Sequence, residues 1–379
     1  MRSRFHLKLR FLAIPLFSLV IVGLSAMPLM CQESNAIAEQ PATQDPETTL
    51  QTGAQAPGST ETSKEPVAIL AEAKLLVDKG KASEAERAVR QYLEKNKDSA
   101  EGHFLLGYIL FREIQESAGV KSGTGAAAYS EKTMDGADTS IRDSKARASL
   151  AEYTEGAKYH DPSALDLKIV ALDYVLLGDY TNADHWLTRS LEWNPKDSES
   201  WYYLGRTKYN ENRFAEAINA FEKCLQLDPK NVKAEDNLGL SYAGLGRNEE
   251  AAAAYQNAIA WQSHLLVKNS GPYINLGSLL LDANRPAEAI SNLLQAAEIS
   301  SRDSKAHELL ARAYSHSDQL QNAQNEMEKA VELSPKSGPL HCMLAQIYKK
   351  EGMSAKAKPE FERCASLTGT HSSPETPRP

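Results

Sequence analysis

Residues 198–231 read SESWYYLGRTKYNENRFAEAINAFEKCLQLDPKN. Leu204 and Gly205 follow Trp201 by three and four residues, and Phe221 and Cys224 follow Ala217 by four and then three. Such intervals place each set on one face of an α-helix. Pro229 has no amide donor and stops the second helix. The stretch therefore predicts two helices folded back on one another.

The same spacing recurs on both sides. With starts at 66, 100, 164, 198, 232, 270, 304 and 338, the eighth residue is Ala73, Gly107, Ala171, Gly205, Gly239, Gly277, Ala311 or Ala345. The twentieth is Ala85, Ser149, Ala183, Ala217, Ala251, Ala289, Ala323 or Ala357. All are small, and a glycine inside a helix costs about 0.5–1 kcal/mol relative to alanine. Its recurrence calls for close approach of two helices. The twenty-fourth residue supplies bulk beside that contact: Val89, Tyr153, Leu187, Phe221, Tyr255, Leu293, Met327 or Phe361. Gly80, Gly178, Gly246 and Gly352 mark turns inside the hairpins, and Pro195 and Pro335 repeat the stop. Two spacings exceed 34 residues. They predict a flexible insertion at about 115–145 in the second unit and make the fifth, Val232 to Asn269, four residues over length, with Trp261–Lys268 departing from the pattern.

Period, small residues and terminal proline together resemble the tetratricopeptide repeat. That resemblance implies an all-α, right-handed superhelical solenoid of about eight helix–turn–helix units over 66–371, acting as a protein-interaction scaffold. A single unit cannot bury its apolar face, whereas stacked units share a continuous core. The resemblance also implies a concave groove lined by the first helix of each unit. Its candidate partner-binding residues are Glu199, Tyr202, Arg206, Tyr209, Asp236, Asn237 and Asn275. At the amino end the same positions hold Phe104, Tyr108 and Phe111, expected as an apolar patch covered by the insertion or by a partner. Cys342 and Cys364 fall at positions 5 and 27 of the last unit, where a disulfide would staple it; Cys224 replaces alanine in a packed slot.

Arg2, Arg4, Lys8 and Arg10 precede an apolar run from Phe11 to Met30 and then Ala36-Ile37-Ala38. This predicts an export signal over 1–38 cleaved after Ala38, although the run is also long enough to remain as a membrane tether. The expected location is the periplasm or the extracellular space. Residues 39–65 are rich in Gln, Thr, Pro and Glu and form an expected disordered linker, with a short polar tail at 372–379.

A net charge of −8 without basic clusters argues against nucleic acid as a partner. The His residues form no metal-binding motif, and neither Cys-x-x-Cys nor a phosphate-cradling glycine loop occurs. No catalytic residue, cofactor or metal is expected. The function expected is that of an exported, non-catalytic scaffold for a protein or peptide partner. An accessory of a cell-envelope assembly or polysaccharide secretion complex is the alternative.

Overall fold

The computed structural model describes residues 64–117 and 136–369. Among these, sixteen α-helices and no strand occur. In pairs they are α1 (Lys64–Asp78) with α2 (Ala82–Lys95), α3 (Ala100–Ser117) with α4 (Gly136–Gly156), and α5 (Ala164–Leu176) with α6 (Tyr180–Trp193). Then come α7 (Ser198–Asn210) with α8 (Phe214–Leu227), α9 (Val232–Gly244) with α10 (Asn248–Trp261), and α11 (Gly271–Asp282) with α12 (Pro286–Ile299). The last two pairs are α13 (Ser304–His316) with α14 (Leu320–Leu333) and α15 (Gly338–Lys350) with α16 (Ser354–Leu367). Each helix packs on its hairpin partner and on the neighbouring hairpin, which makes an all-α helical-repeat solenoid.

Small against large sets the hairpin. A methyl group built on Gly205 would meet the Phe221 ring at 2.6 Å, on Gly239 the Tyr255 ring at 2.6 Å, and on Gly277 the Leu293 side chain at 2.6 Å. In the units with alanine, Ala171 and Ala311 are fully buried, as are Leu187 and Met327 opposite them. The twenty-fourth position fails only in the last unit. Phe361 is 40% exposed because no further described helix packs on α16.

Seven of the hairpin turns share one backbone device. Gly80, Gly178, Asn212, Gly246, Asn284, Asp318 and Gly352 all have positive φ, between 57° and 78°. Glycine, asparagine and aspartate tolerate this left-handed conformation best. The residue after each donates its amide to the carbonyl five back, as Arg213 does to Lys208 at 2.9 Å, closing the first helix.

Units are also joined through the fourth position. His103, His307 and His341 each direct Nε2 at the carbonyl six residues earlier, at 2.9, 3.1 and 2.9 Å, in the turn that ends the preceding unit. Each directs Nδ1 at a glutamate on its own second helix: Glu152 at 2.7 Å, Glu326 at 2.6 Å and Glu360 at 2.5 Å. Trp201 occupies the same slot and donates its indole N–H to Pro195 O at 2.9 Å.

The second unit departs from the sequence expectation. Residues 115–117 and 136–145, placed in a flexible insertion, are helical, because α3 and α4 run past the standard hairpin and pack on each other. Lys145 Nζ donates to the buried Glu113 carboxylate at 2.8 Å, and Ile114 and Ala146 join the core. The expected signal at 1–38, the linker up to 63, the middle of the insertion and the tail at 372–379 lie outside the described residues. Among the described residues no helix is long and apolar enough to cross a membrane.

Candidate partner-binding groove

Successive first helices touch: α1 reaches α3, and so on through α11 and α13, whereas no comparable pairing links successive second helices. First helices thus line the inner side of the stack, and second helices the outer. On the inner side a pocket of about 550 Å³ opens between α4, α5, α7 and α9. Arg206, Tyr209, Asn210, Asn237 and Leu240 line it. Arg142 and Asp143, from the extended start of α4, form its other wall. That wall was absent from the sequence reading, since it comes from the stretch expected to be loose.

Arg206, Tyr209 and Asn237 therefore meet around one space. The other expected residues do different things. Tyr202 is buried, its ring 5.4 Å from Tyr203, and Arg206 Cζ lies 5.9 Å from its centroid. It acts as a platform for the guanidinium rather than as an exposed anchor. Glu199 accepts from Lys168 Nζ at 2.9 Å, and Tyr209 rests half-buried 5.4 Å from Phe214. Asp236 is buried and accepts from Asn275 Nδ2 at 2.8 Å; burial pushes its carboxyl up to about 7, with that bond pulling the other way. Asn237 Nδ2 donates to its own helix at Lys233 O, 2.8 Å. The asparagines bind groups of their own chain.

The amino-terminal set is not an open apolar patch. Phe111 is only 2% exposed and belongs to the core, because the lengthened α4 and the following α5 pack over this part of α3. Phe104 stacks on Tyr153 at 5.9 Å, and Tyr108 accepts from Arg112 Nη1 at 3.0 Å.

A second inner pocket, of about 220 Å³, lies between α13 and α15, with Arg312, Ser315, His316, Met343, Gln346 and Lys350 on its walls. A hollow of about 650 Å³ on the outer side, beside α6, contains Asp184, but this carboxylate is already held by Lys208 at 2.6 Å and Arg213 at 2.7 Å. Cys342 and Cys364 are joined across the last hairpin with Cα atoms 5.1 Å apart. Cys224 is buried, which pushes its thiol up to about 12 and keeps it protonated. No cluster of three or more His, Cys, Asp or Glu side chains suited to a metal occurs among the described residues.

Models of the tetratricopeptide repeat match residues 70–129, 198–231, 236–264, 271–303, 304–337 and 338–371. The chain belongs to the tetratricopeptide repeat family. Proteins of this family are in general non-catalytic scaffolds for protein–protein interaction. The peroxisomal targeting signal receptor of Kluyveromyces lactis is 35% identical over 91 residues, 24% of this chain and 16% of that protein. The human PEX5-related protein is 33% identical over 108 residues, 28% of this chain and 15% of its own length. The match thus spans about a sixth of these curated relatives. Among solved structures, a tetratricopeptide repeat protein from Parabacteroides merdae aligns with 75% of this chain and 99% of its own, at 17% identity and a TM-score of 0.53. The Cut9–Hcn1 hetero-tetramer of the APC/C aligns with 82% of this chain and 54% of its own, at 14% identity and a TM-score of 0.51. Both likenesses concern the fold.

Proposed function

We propose that this tetratricopeptide protein is an exported, non-catalytic scaffold that holds a partner's peptide or subunit along the groove of its first helices. The pocket between α4, α5, α7 and α9 carries the reading. It offers a guanidinium fixed on the Tyr202 ring, the amide of Asn210, and apolar surface from Leu240 and Tyr209. Few, convergent polar groups on an apolar wall suit main-chain and side-chain recognition of an extended segment. Curated relatives named as receptors for a targeting signal support a peptide as the occupant.

Export rests on the basic and apolar leader and its Ala36-Ile37-Ala38 site. The Cys342–Cys364 disulfide supports it, because such bonds persist in oxidising compartments. A photo-crosslinking residue placed at Tyr209, with exposed Glu249 on α10 as control, tests the groove in cells. Crosslinks from 209 alone are expected; equal or outer-only crosslinks refute it. Fractionation with amino-terminal sequencing tests export, for which a mature start at Glu39 is expected and an uncut cytosolic chain is the refuting outcome.

A further inference from the structure

Two sets of arginines at repeated positions are treated differently. On the outer side, Arg213, Arg247 and Arg285 start α8, α10 and α12, and each binds the glutamate three residues on, at 2.6, 2.8 and 2.6 Å. Those charges cancel locally. On the inner side, Arg206 and Arg312 occupy the ninth position of units four and seven, and among the described residues neither forms an ion pair. Arg206 faces the 550 Å³ pocket beside Arg142, whose own charge is matched by Asp143 at 3.1 Å, and Arg312 faces the 220 Å³ pocket beside His316 and Lys350.

The inner carboxylates are mostly committed. Glu199 is bound by Lys168, Glu308 by Lys305 at 3.0 Å, and Asp236 is buried against Asn275; Asp282, at the end of α11, stays exposed. Two cationic pockets therefore lie along the inner side of a chain whose net charge is −8. Cations left unneutralised in concave, partly apolar surroundings are complementary to an anionic ligand.

Given the groove reading above, on which this rests, we infer that the partner segment is an acidic stretch of polypeptide that bridges the pockets of units three to five and seven to eight. Leu240 in one pocket and Met327 and Met343 in the other call for apolar residues among the acidic ones. That mixture suits a peptide better than nucleic acid, whose uniform phosphate charge the chain's overall −8 repels. Two contacts on one ligand raise affinity through effective concentration, so length should matter as much as charge.

The test is fluorescence anisotropy on the full chain with labelled Glu-Ser-Leu-Glu repeats of about 24 and about 8 residues. The longer peptide is expected to bind roughly tenfold or more tighter in about 50 mM NaCl, and to weaken steeply as salt rises. Arg206→Gln and Arg312→Gln should each weaken the longer peptide by roughly tenfold, whereas Arg247→Gln should change nothing. Arg312→Gln, away from the Tyr202 stack, keeps the test valid if Arg206→Gln disturbs folding, and circular dichroism checks both. Equal binding of a Gln-Ser-Leu-Gln peptide, indifference to both groove variants, or preference for single-stranded DNA of equal length overturns the inference. A Tyr209 crosslink to a non-acidic partner segment would end this inference and leave the groove reading standing. Acidic-peptide binding lost in both variants, without any groove crosslink in cells, would do the reverse.

Discussion

Asp173 sits at the tenth position of α5, 0% exposed, with neither carboxylate oxygen hydrogen-bonded among the described residues. The neighbouring Ser149 hydroxyl donates elsewhere, to Gly107 O at 2.9 Å, and Tyr153 Oη and Thr207 Oγ1 are likewise buried without partners. Burial therefore raises the carboxyl pKa well above its ordinary value. Above about pH 4 the unfolded chain has released this proton while the native chain still holds it, so unfolding free energy falls as pH rises. The loss is about 1.4 kcal/mol per pH unit while the native group stays protonated and ceases once it ionises. Asp173→Asn keeps shape and polarity but removes the proton. It should be close to neutral near pH 4 and increasingly stabilising as pH rises, until the native carboxyl ionises. Urea titrations read by tryptophan fluorescence suit the question, since Trp186, Trp193 and Trp201, three of the chain's four tryptophans, lie on the units beside Asp173. A gap that is constant with pH, or a variant less stable than the parent at pH 7, refutes the argument.

Gly239→Leu should destabilise by about 3 kcal/mol or more in denaturant melts, because the first added carbon already meets the Tyr255 ring at 2.6 Å. His103 is buried, which alone would lower its pKa, but bonds to Glu152 and to the Lys97 carbonyl outweigh this and raise it. The charged form contributes stability that is complete below about pH 6.5 and is lost as pH rises through the native pKa. His103→Gln should therefore cost about 1 kcal/mol at pH 6 and less at pH 8, read from paired melts at the two values. Reducing Cys342–Cys364, whose cysteines are 22 residues apart, should loosen the last unit by about 3 kcal/mol, visible as faster amide exchange in α15 and α16 with dithiothreitol.

The hairpins were legible because packing repeats on the same positions. Gly205, Ala217 and Phe221 state the contact once, and seven further copies of each position restate it, so one chain serves as its own alignment. The His–Glu joints could have been found the same way. Glutamate stands at the twenty-third position in the three units with histidine at the fourth, while Ala88, Trp186, Ala220, Ala254 and Asn292 stand there in the other five. What could not be read was the start of α4: its amphipathic spacing fades there, and packing on α3 and α5 keeps residues 136–145 helical and carries Arg142 to the groove.

The groove residues were harder for a physical reason that bears on how such stacks acquire ligands. Periodicity reports which face a side chain occupies but not whether its neighbours already satisfy it. Asn237 and Asn275 share a position, yet one binds its own helix and the other donates a hydrogen bond to a buried carboxyl. Arg206 and Arg312 also share a position, and among the described residues neither forms an ion pair. In a repeat array the default surface charge is cancelled within each unit, as Arg213–Glu216 and its copies show, because the helix brings residues three apart together. A cation escapes that cancellation where no acid follows three or four residues on, or where the acid before it is taken by another cation. After Arg206 those residues are Tyr209 and Asn210, and after Arg312 they are Ser315 and His316. Arg206 has no acid within a turn, and the one acid within a turn of Arg312, Glu308, is held by Lys305 at 3.0 Å, so both guanidinium charges are left to the groove.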